Sequence, residues 1–298
     1  MKRIFFAHIA LFIVNLIYAL NYTIAKDVMP GYIEPSGFIL LRVLCGVFLF
    51  SFFYFLFIKE SVEKKDFFRL ALCGLFGVAI NQLFFFEGLN LTTPINAAII
   101  MTVNPVLVII ISALLIGEKI TVKKIIGIVL GIIGAGALIL NSGSVSFDND
   151  FFIGNLLVLI NATSYAIYLV LVKGLMKKYN PLTVMFFVFL FGLFFVLPFG
   201  YQDLNSVNID SFTNDIYLKI LFVVVCTTFI AYLLNAFALK SLNPSIVSIY
   251  IYLQPVLASV IAILYNSDTI DYIKIVSSIF IFIAVFLVSI PTKKVITN

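Results

Sequence analysis

The sequence predicts an all-α membrane protein in which ten transmembrane helices form a 5+5 inverted-topology repeat, with both termini in the cytoplasm. Three observations predict this fold class: the apolar composition, the spacing of long apolar runs and a similarity between the two halves of the chain. Of the 298 residues, 63% are hydrophobic and 11% are charged, and the mean hydropathy is +1.18. So few charged side chains cannot cover a water-soluble protein of this size, and we therefore expect the chain to fold in lipid.

The apolar runs have the length of membrane-spanning helices. Crossing a hydrocarbon layer of roughly 30 Å takes about 20 helical residues. The runs do not alternate between apolar and polar residues, as the strands of a membrane barrel do. Because lipid offers the backbone no hydrogen-bond partners, each run is expected to be a helix. The predicted spans are residues 4–25, 36–57, 67–88, 93–116, 123–140, 151–172, 181–200, 216–238, 244–265 and 272–291.

The distribution of lysine and arginine predicts the orientation of these spans. Of the 19 basic residues, 15 fall in the two tails and in the even-numbered loops, which lie on one side of a ten-span chain. Cytoplasmic loops carry such an excess, so both termini are expected in the cytoplasm of a multi-pass protein of the cell membrane. The net charge of +5 is thereby assigned to these loops, and no nucleic-acid partner is predicted.

The two halves of the chain resemble each other. A shift of 150 residues aligns residues 104–107 (NPVL) with residues 254–257 (QPVL), and the alignment runs from helix four into the following loop. A shift of 147 residues aligns residues 18–20 (YAL) with residues 165–167 (YAI). Self-similarity at a fixed spacing is the signature of an internal duplication.

The duplication predicts two repeats, residues 4–142 and 150–292, each with five spans. An odd number of spans forces the second copy to enter the membrane from the opposite side. Inverted repeats of this kind occur in many secondary transporters, in which the substrate site lies near the membrane midplane between the repeats.

Several short motifs in the first repeat resemble those of the EamA-type branch of the drug/metabolite transporter superfamily. They are YALNY at residues 18–22, followed by Lys26, and PINAA at residues 94–98, followed by Pro105 and by GEKIT at residues 117–121. The resemblance implies ten helices in an inverted five-plus-five arrangement. It also implies export or exchange of small metabolites, amino acids or lipophilic compounds through a central cavity lined mainly by helices 1, 3, 4, 6, 8 and 9.

Polar side chains inside the spans predict such a cavity independently. They are costly in hydrocarbon and face the interior of a helix bundle. In the first span, Asn15 and Tyr22 are seven residues apart and Tyr18 lies between them, which places all three on one helix face. The third, fourth, sixth, eighth and ninth spans add further amides, hydroxyls and phenols. The candidate substrate-binding residues are Asn15, Tyr18, Tyr22, Asn81, Gln82, Asn104, Asn161, Ser164, Tyr165, Tyr168, Thr228, Tyr232, Asn235, Ser248 and Tyr252.

A second interpretation of these residues stays open, because polar side chains also join membrane helices by hydrogen bonds of about 0.6 kcal/mol each. Arg42, about two turns into the second span, has two interpretations as well. Snorkelling of its side chain to the outer interface is the one we favour from the sequence. The alternative is a clamp for a carboxylate or phosphate, with Glu87 or Glu34 as its partner at rest.

The fifth span differs from the others because it has no hydrogen-bonding side chain between Ile125 and Leu140. It contains Gly127, Gly131, Gly134 and Gly136, and glycines at such spacing allow membrane helices to approach closely. The pattern predicts a scaffold helix that packs against the tenth span or against a second copy of the chain in a homodimer.

No catalytic residue, metal ligand or cofactor is predicted. The chain has one histidine, His8, and contains neither Gly-x-Ser-x-Gly nor His-Glu-x-x-His, so the usual parts of a hydrolase or metalloenzyme are missing. We therefore predict a secondary transporter or exporter of small amphipathic metabolites, such as amino acids and aromatic or cationic compounds. It would work by alternating access through a central tyrosine-lined cavity, with the lipid bilayer and the substrate as its partners. The alternatives are a nucleotide-sugar-like exchanger, a passive channel and, last, an intramembrane enzyme.

Overall fold

The computed structural model describes residues 2–58, 60–92, 94–141, 152–264 and 271–290. Within these ranges the chain is helical and contains no strand, as the composition predicts. The sequence also predicts a polar loop at residues 141–150 as the seam between the repeats; Asn141 is the last residue of the helix Val122–Asn141, and residues 142–150 lie outside the described residues. The helices are α1 (Lys2–Val28), α2 (Pro35–Phe57), α3 (Lys64–Leu91), α4 (Pro94–Met101 and Asn104–Ile116), α5 (Val122–Asn141), α6 (Phe152–Lys178), α7 (Pro181–Asn205), α8 (Asn214–Ser241), α9 (244–264) and α10 (Tyr272–Ser289).

Eight of these helices are long and apolar enough to cross a membrane, namely α1, α2, α3 and α6 to α10. The predicted fourth span is interrupted, because one piece ends at Met101 and the next begins at Asn104. Pro105 causes this break, since proline lacks an N–H and its ring clashes with the preceding turn. The fifth span is the 20-residue helix α5. The count of ten crossings and the cytoplasmic position of the termini stay predictions.

The second repeat is interrupted at the matching place. Its helix α9 consists of Pro244–Ile249, a 3₁₀ turn at Tyr250–Tyr252 and a further helix from Leu253 to Leu264. Pro255 follows that turn and lies 150 residues after Pro105. The same helix is therefore broken in both halves, as expected of duplicated copies.

The helices α3 and α8 share a second irregularity, a stretch of π-helix. It covers Leu75–Ala79 in α3 and Val223–Ile230 in α8, and a shift of 150 residues places the first stretch inside the second. A π turn is wider than an α turn, so the side chains that follow it are rotated relative to a regular helix, and such turns are frequent at functional sites. Gln82 follows the first stretch and Tyr232 follows the second.

Two lysines make equivalent contacts in the two repeats. Lys26 Nζ donates to the carbonyl oxygen of Leu89 at the end of α3, at 3.0 Å. Lys173 Nζ donates to the carbonyl oxygen of Leu239 at the end of α8, at 2.6 Å. The last carbonyls of a helix lack partners within the helix and attract cations. The lysine after each YA(L/I) motif is thus a C-terminal cap for a neighbouring helix, and its role is duplicated with the sequence.

Contacts between the repeats are reciprocal as well. Gln254 Nε2 in α9 donates to Asn15 Oδ1 in α1, at 2.9 Å. Asn104 Nδ2 in α4 donates to the carbonyl oxygen of Ala162 in α6, at 2.7 Å. Asn104 is the repeat counterpart of Gln254, and Ala162 is that of Asn15. Reciprocal contacts of this kind are what a two-fold axis between two copies produces. They agree with the predicted inverted repeat, whose orientation in the membrane stays a prediction.

The glycine-rich helix α5 packs against α10, the first of the two predicted partners. A Cβ atom added at Gly127 would lie 2.6 Å from Val288 Cγ2, and one at Gly134 would lie 2.8 Å from the backbone oxygen of Ser277. Glycine at these positions therefore allows the two backbones to approach. No observation tests the homodimer.

The GEKIT motif at residues 117–121 forms the connection between α4 and α5. Gly117 ends α4 in the left-handed conformation, with φ of 65°, which glycine adopts without strain. Glu118 Oε1 and Lys124 Nζ form a buried ion pair at 2.7 Å. Thr121 Oγ1 accepts a hydrogen bond from the Lys124 amide at 3.4 Å, at the start of α5. The motif therefore ends one helix and begins the next, and its ion pair links the connection to the first turn of α5.

Candidate substrate cavity

A cavity of about 100 Å³ lies between the two repeats. Six of the helices that line it, α1, α3, α4, α6, α8 and α9, are those expected from the family resemblance, and α2 adds Arg42. The lining residues are Val14, Asn15, Tyr18, Asn21, Tyr22, Arg42, Asn81, Gln82, Phe85, Phe86, Met101, Asn161, Tyr165, Thr227, Tyr232, Asn235, Val247, Ile251 and Gln254.

The structure brings nine of the fifteen predicted site residues together around this cavity. They come from both repeats and include four phenols and five amides. They are Asn15, Tyr18, Tyr22, Asn81, Gln82, Asn161, Tyr165, Tyr232 and Asn235. Their proximity is observed, whereas their role in substrate binding remains a proposal.

Hydrogen bonds between helices hold the phenols of the wall in place. Gln82 Nε2 donates to the hydroxyl oxygen of Tyr232 at 3.0 Å, and that hydroxyl donates to the carbonyl oxygen of Gly77 at 2.9 Å. Asn235 Nδ2 donates to the hydroxyl oxygen of Tyr18 at 3.3 Å. Because these bonds join α3 to α8 and α8 to α1, they give the cavity a preorganised polar wall.

Two amides of the wall are also held by hydrogen bonds to the backbone, one to another helix and one within its own helix. Asn161 Nδ2 donates to the backbone oxygen of Asn81 at 2.6 Å, which joins α6 to α3. Asn15 Nδ2 donates to the backbone oxygen of Leu11 at 2.7 Å. Anchored amides of this kind keep their orientation without a ligand.

Five side chains of the cavity wall carry a buried polar atom that has no hydrogen-bond partner within the described part of the chain. Buried polar groups are normally paired, and an unpaired one costs about 1–3 kcal/mol. The five atoms belong to helices of both repeats, so both repeats contribute unpaired donors or acceptors to the side chains of the wall. They are Asn21 Oδ1, Arg42 Nη1, Gln82 Oε1, Asn161 Oδ1 and Thr227 Oγ1.

Six predicted site residues do not line the cavity: Asn104, Ser164, Tyr168, Thr228, Ser248 and Tyr252. Three of them, Asn104, Ser164 and Tyr252, join neighbouring helices, which is the other interpretation of the polar stripes. Ser164 Oγ donates to the backbone oxygen of Phe76 at 2.6 Å, and Tyr252 Oη donates to that of Thr102 at 3.0 Å. Ser248 Oγ bonds within its own helix, to the backbone oxygen of Ser245 at 3.2 Å. Asn104 bonds to α6 as described above.

The remaining two residues are displaced for different reasons. Tyr168 lies one turn beyond Tyr165 on α6, and its hydroxyl is 3.8 Å from Met185 Sδ, on the side of α7. Thr228 lies inside the π stretch of α8, where the regular helical period fails, and its neighbour Thr227 lines the cavity instead.

Arg42 does not snorkel, and the interpretation favoured from the sequence is wrong. Its side chain is buried, with 2% of the residue exposed, and it lines the cavity. Arg42 Nε donates to Thr228 Oγ1 at 3.0 Å, and the guanidinium carbon lies 4.6 Å from the ring centroid of Phe86. The proposed resting partners are also wrong, because neither Glu34 nor Glu87 forms an ion pair with it.

Sequence reasoning missed part of the wall. Asn21, Thr227 and Gln254 are polar and lie within spans, so the signal that identified their neighbours could have found them. The apolar members Phe85 and Phe86 carry no signal, because many other phenylalanines of this chain lie on its exposed surface. Among the described residues, no group of three or more His, Cys, Asp or Glu could hold a metal ion.

A multi-pass helical membrane protein whose two similar halves enclose a polar cavity has the construction of a membrane transporter. The chain matches the model of the EamA-like transporter family twice, at residues 5–140 and 152–290. It therefore belongs to the EamA-like transporter family, and it is a multi-pass integral membrane protein.

Known proteins of similar sequence carry compatible names. The Bacillus subtilis protein called uncharacterized transporter YyaM is 25% identical over 246 residues, which cover 81% of this chain and 80% of that protein. An uncharacterized transporter of Archaeoglobus fulgidus is 26% identical over 288 residues, which cover 94% of this chain and 96% of that protein. The family and these names indicate a transporter rather than an enzyme.

A solved crystal structure has the same fold, with a TM-score of 0.78. The alignment covers 95% of this chain and 96% of the other, at 17% sequence identity. At this identity the likeness concerns the fold alone.

Proposed function

We propose that the protein is a secondary transporter that moves small amphipathic metabolites, such as amino acids and aromatic compounds, across the cell membrane by alternating access. The observation that carries the proposal is the polar cavity between the repeats, whose wall contains five unpaired buried polar atoms. Such atoms also occur at packing positions such as Asn104 and Ser112, but five of them belong to side chains around one cavity, where a solute or its hydration water can pair with them once the wall opens.

The relation between the repeats supports alternating access. In transporters built from inverted repeats, the two halves rock against each other around a fixed midplane site. Gln82 and Tyr232 are repeat counterparts, 150 residues apart, and they bond to each other in the cavity wall. The cavity therefore lies where the pseudo-two-fold relation brings equivalent positions together, which is the place such a mechanism requires.

The size of the cavity indicates the size of the solute. A water molecule occupies about 30 Å³ of liquid volume, so a cavity of about 100 Å³ has room for roughly three waters, and a larger solute requires the wall to move apart. A nucleotide sugar is several times larger, which disfavours the exchanger alternative.

The lining indicates a solute with an apolar body and a polar end. The rings of Phe85, Phe86 and Tyr165 provide apolar contact area, and the amides provide hydrogen bonds. Arg42 gives the lining a positive charge, so cationic solutes fit this cavity less well than neutral or anionic ones.

Flux measurements in proteoliposomes test the proposal. The purified protein is first screened by thermal shift against amino acids, aromatic acids, amines and nucleotide sugars, and the flux of the best stabiliser is then followed. We expect saturable flux that falls about tenfold in Tyr232→Phe, the loss expected when a hydrogen bond of about 1.4 kcal/mol is removed. The control is Tyr201→Phe, an exposed tyrosine of α7.

The alternatives give different results in the same material. A passive channel would show single-channel conductance in planar bilayers, and an enzyme would form product in detergent without a gradient. Normal flux in the Tyr232→Phe variant would show that this cavity is not the transport pathway.

A further inference from the structure

Arg42 is a charged residue that nothing in the described protein neutralises. It is the one charged residue among the described residues that line the cavity, and it forms no ion pair with any described carboxylate. Its Nη1 atom is buried and has no hydrogen-bond partner there. A buried cation without a counter-charge is costly, and proteins keep such a group where an anion or a function requires it.

The shared fold of the repeats does not require a charge at this position. The helices α2 and α7 both begin with a proline, Pro35 and Pro181. Counting from these prolines places Val188 of α7 at the position of Arg42, and Val188 is fully buried. An apolar side chain therefore suffices for packing in the second repeat, and the arginine is specific to the first.

The guanidinium is held in a defined orientation. Thr228 Oγ1 accepts from Nε at 3.0 Å and itself donates to the backbone oxygen of Val223 at 2.9 Å, within the π stretch of α8. The ring of Phe86 covers one face of the guanidinium. With Nε and one face occupied, Nη1 and Nη2 remain without hydrogen bonds inside the described chain, and the terminal nitrogens of arginine can bind both oxygens of a carboxylate.

We propose that Arg42 is the anion-binding residue of the cavity and that the substrate carries a carboxylate, which binds to its terminal nitrogens. This inference rests on the proposed transport function and narrows its substrate class to small organic acids and zwitterions. The apolar part of such a solute lies against the aromatic side chains beside Arg42. Phe86 contacts the guanidinium directly, and elsewhere in the wall Tyr22 and Phe85 form an edge-to-face pair with ring centroids 5.6 Å apart.

Three probes of nearly equal size test the charge preference. Phenylacetate, phenylacetamide and 2-phenylethylamine each have about ten non-hydrogen atoms, so they differ in charge and little in size. Their binding to the full-length purified protein is measured by isothermal titration calorimetry. We expect phenylacetate to bind about tenfold or more tightly than the amide, because hydrogen bonds to a charged group are stronger than neutral ones, and the amine to bind least. Phenyl phosphate is a fourth probe, and tighter binding of it than of phenylacetate would overturn the assignment of a carboxylate.

Variants of Arg42 test whether this residue causes the preference for phenylacetate. In Arg42→Gln the advantage of phenylacetate over phenylacetamide should disappear, whereas Arg42→Lys should keep part of it, because lysine retains the charge and loses the two-pronged geometry. Arg69→Gln is the matched control, since Arg69 lies outside the cavity and bonds to the backbone of α6. If Arg42→Gln does not fold, the comparison of wild type with Arg42→Lys still decides the question.

The outcomes separate this inference from the proposed function. Tighter binding of the amide or the amine by the wild type, no binding of phenylacetate at millimolar concentration, or an acid preference that survives Arg42→Gln would each overturn the role of Arg42. The transporter proposal would stand in those cases if a neutral or cationic solute showed saturable flux. Absence of flux for every solute tested would contradict the transporter proposal itself.

Discussion

The cavity and the interface between α5 and α10 differ in composition and in packing: small apolar residues pack closely at the interface, whereas polar residues surround unfilled space in the cavity. At the interface, glycines let backbones approach, and a Cβ at Gly127 or Gly134 would collide with the neighbouring helix. In the cavity, amides, phenols and an arginine stand around unfilled space, and several of their polar atoms have no partner in the described chain.

The difference teaches where the chain uses its few polar side chains. Association of helices in lipid gains nothing from the hydrophobic effect, so close packing of small residues suffices for a scaffold. Polar atoms that are buried without partners lower stability, and the presence of five of them around one cavity indicates that function maintains them there. Variants that alter either the packing interface or the cavity wall test this interpretation.

The largest effect is expected from overpacking the scaffold. In Gly134→Leu the new side chain begins 2.8 Å from the backbone oxygen of Ser277, which cannot move without shifting α10. We expect a loss of about 3 kcal/mol in the free energy of unfolding, seen as a lower melting temperature in detergent. Gly136→Leu is the control, because nothing lies within 4 Å of a Cβ at that position. Equal melting temperatures of the two variants would refute the assigned packing.

The next effect is expected in the cavity wall, in Tyr232→Phe. This change removes the hydroxyl that accepts from Gln82 and donates to the backbone of Gly77. We expect the unfolding free energy to fall by about 2 kcal/mol, because buried partners lose their bonds, in addition to the loss of flux described above. A variant with full flux and wild-type stability would show that the hydroxyl serves neither purpose.

In Thr227→Val we expect flux to fall while stability stays unchanged. Thr227 Oγ1 has no partner among the described residues, so its replacement by a methyl group breaks no bond of the protein. We expect the unfolding free energy to stay within about 0.5 kcal/mol of the wild type or to rise. Flux of the solute identified by thermal shift should fall about threefold, because the hydroxyl is a weak contact. Unchanged flux would remove Thr227 from the site.

The smallest effect is expected in Tyr168→Phe, one turn from the cavity on α6. The hydroxyl contacts a thioether sulfur at 3.8 Å, which is a weak acceptor, so stability should change by about 0.5 kcal/mol or less. Flux should not change. Tyr165→Phe, in contrast, alters a residue of the wall and should lower flux. Lower flux in Tyr168→Phe than in Tyr165→Phe would show that Tyr168, and not Tyr165, belongs to the wall of the transport site.

The helices and the duplication could be predicted because they depend on local and repeating features. Apolar runs of membrane-spanning length give the helices, and matched positions such as Pro105 and Pro255 give the repeat. The break that the structure shows at both prolines follows from the chemistry of proline and needs no tertiary information.

The cavity could be predicted only in part, because periodicity gives a helix face and not the neighbour that this face meets. Tyr165 and Tyr168 are one turn apart on the same helix, yet the first lines the cavity and the second points to α7. In the π stretch of α8, Thr227 lines the cavity in place of the predicted Thr228. The sequence contains no pattern that predicts the wider π turn. The predicted snorkelling of Arg42 was wrong because its side chain bonds to Thr228 of α8, which is distant along the chain.

Accessibility of the cavity wall tests the central claim most directly. In a chain whose cysteines are replaced, Thr227→Cys is compared with Ser164→Cys, a packing position outside the wall, for reaction with a water-soluble thiol reagent in proteoliposomes. The account predicts that Thr227→Cys reacts, that the transported solute slows the reaction, and that Ser164→Cys stays unmodified. Modification of both cysteines at equal rates, or of Thr227→Cys at a rate unaffected by the solute, would contradict it.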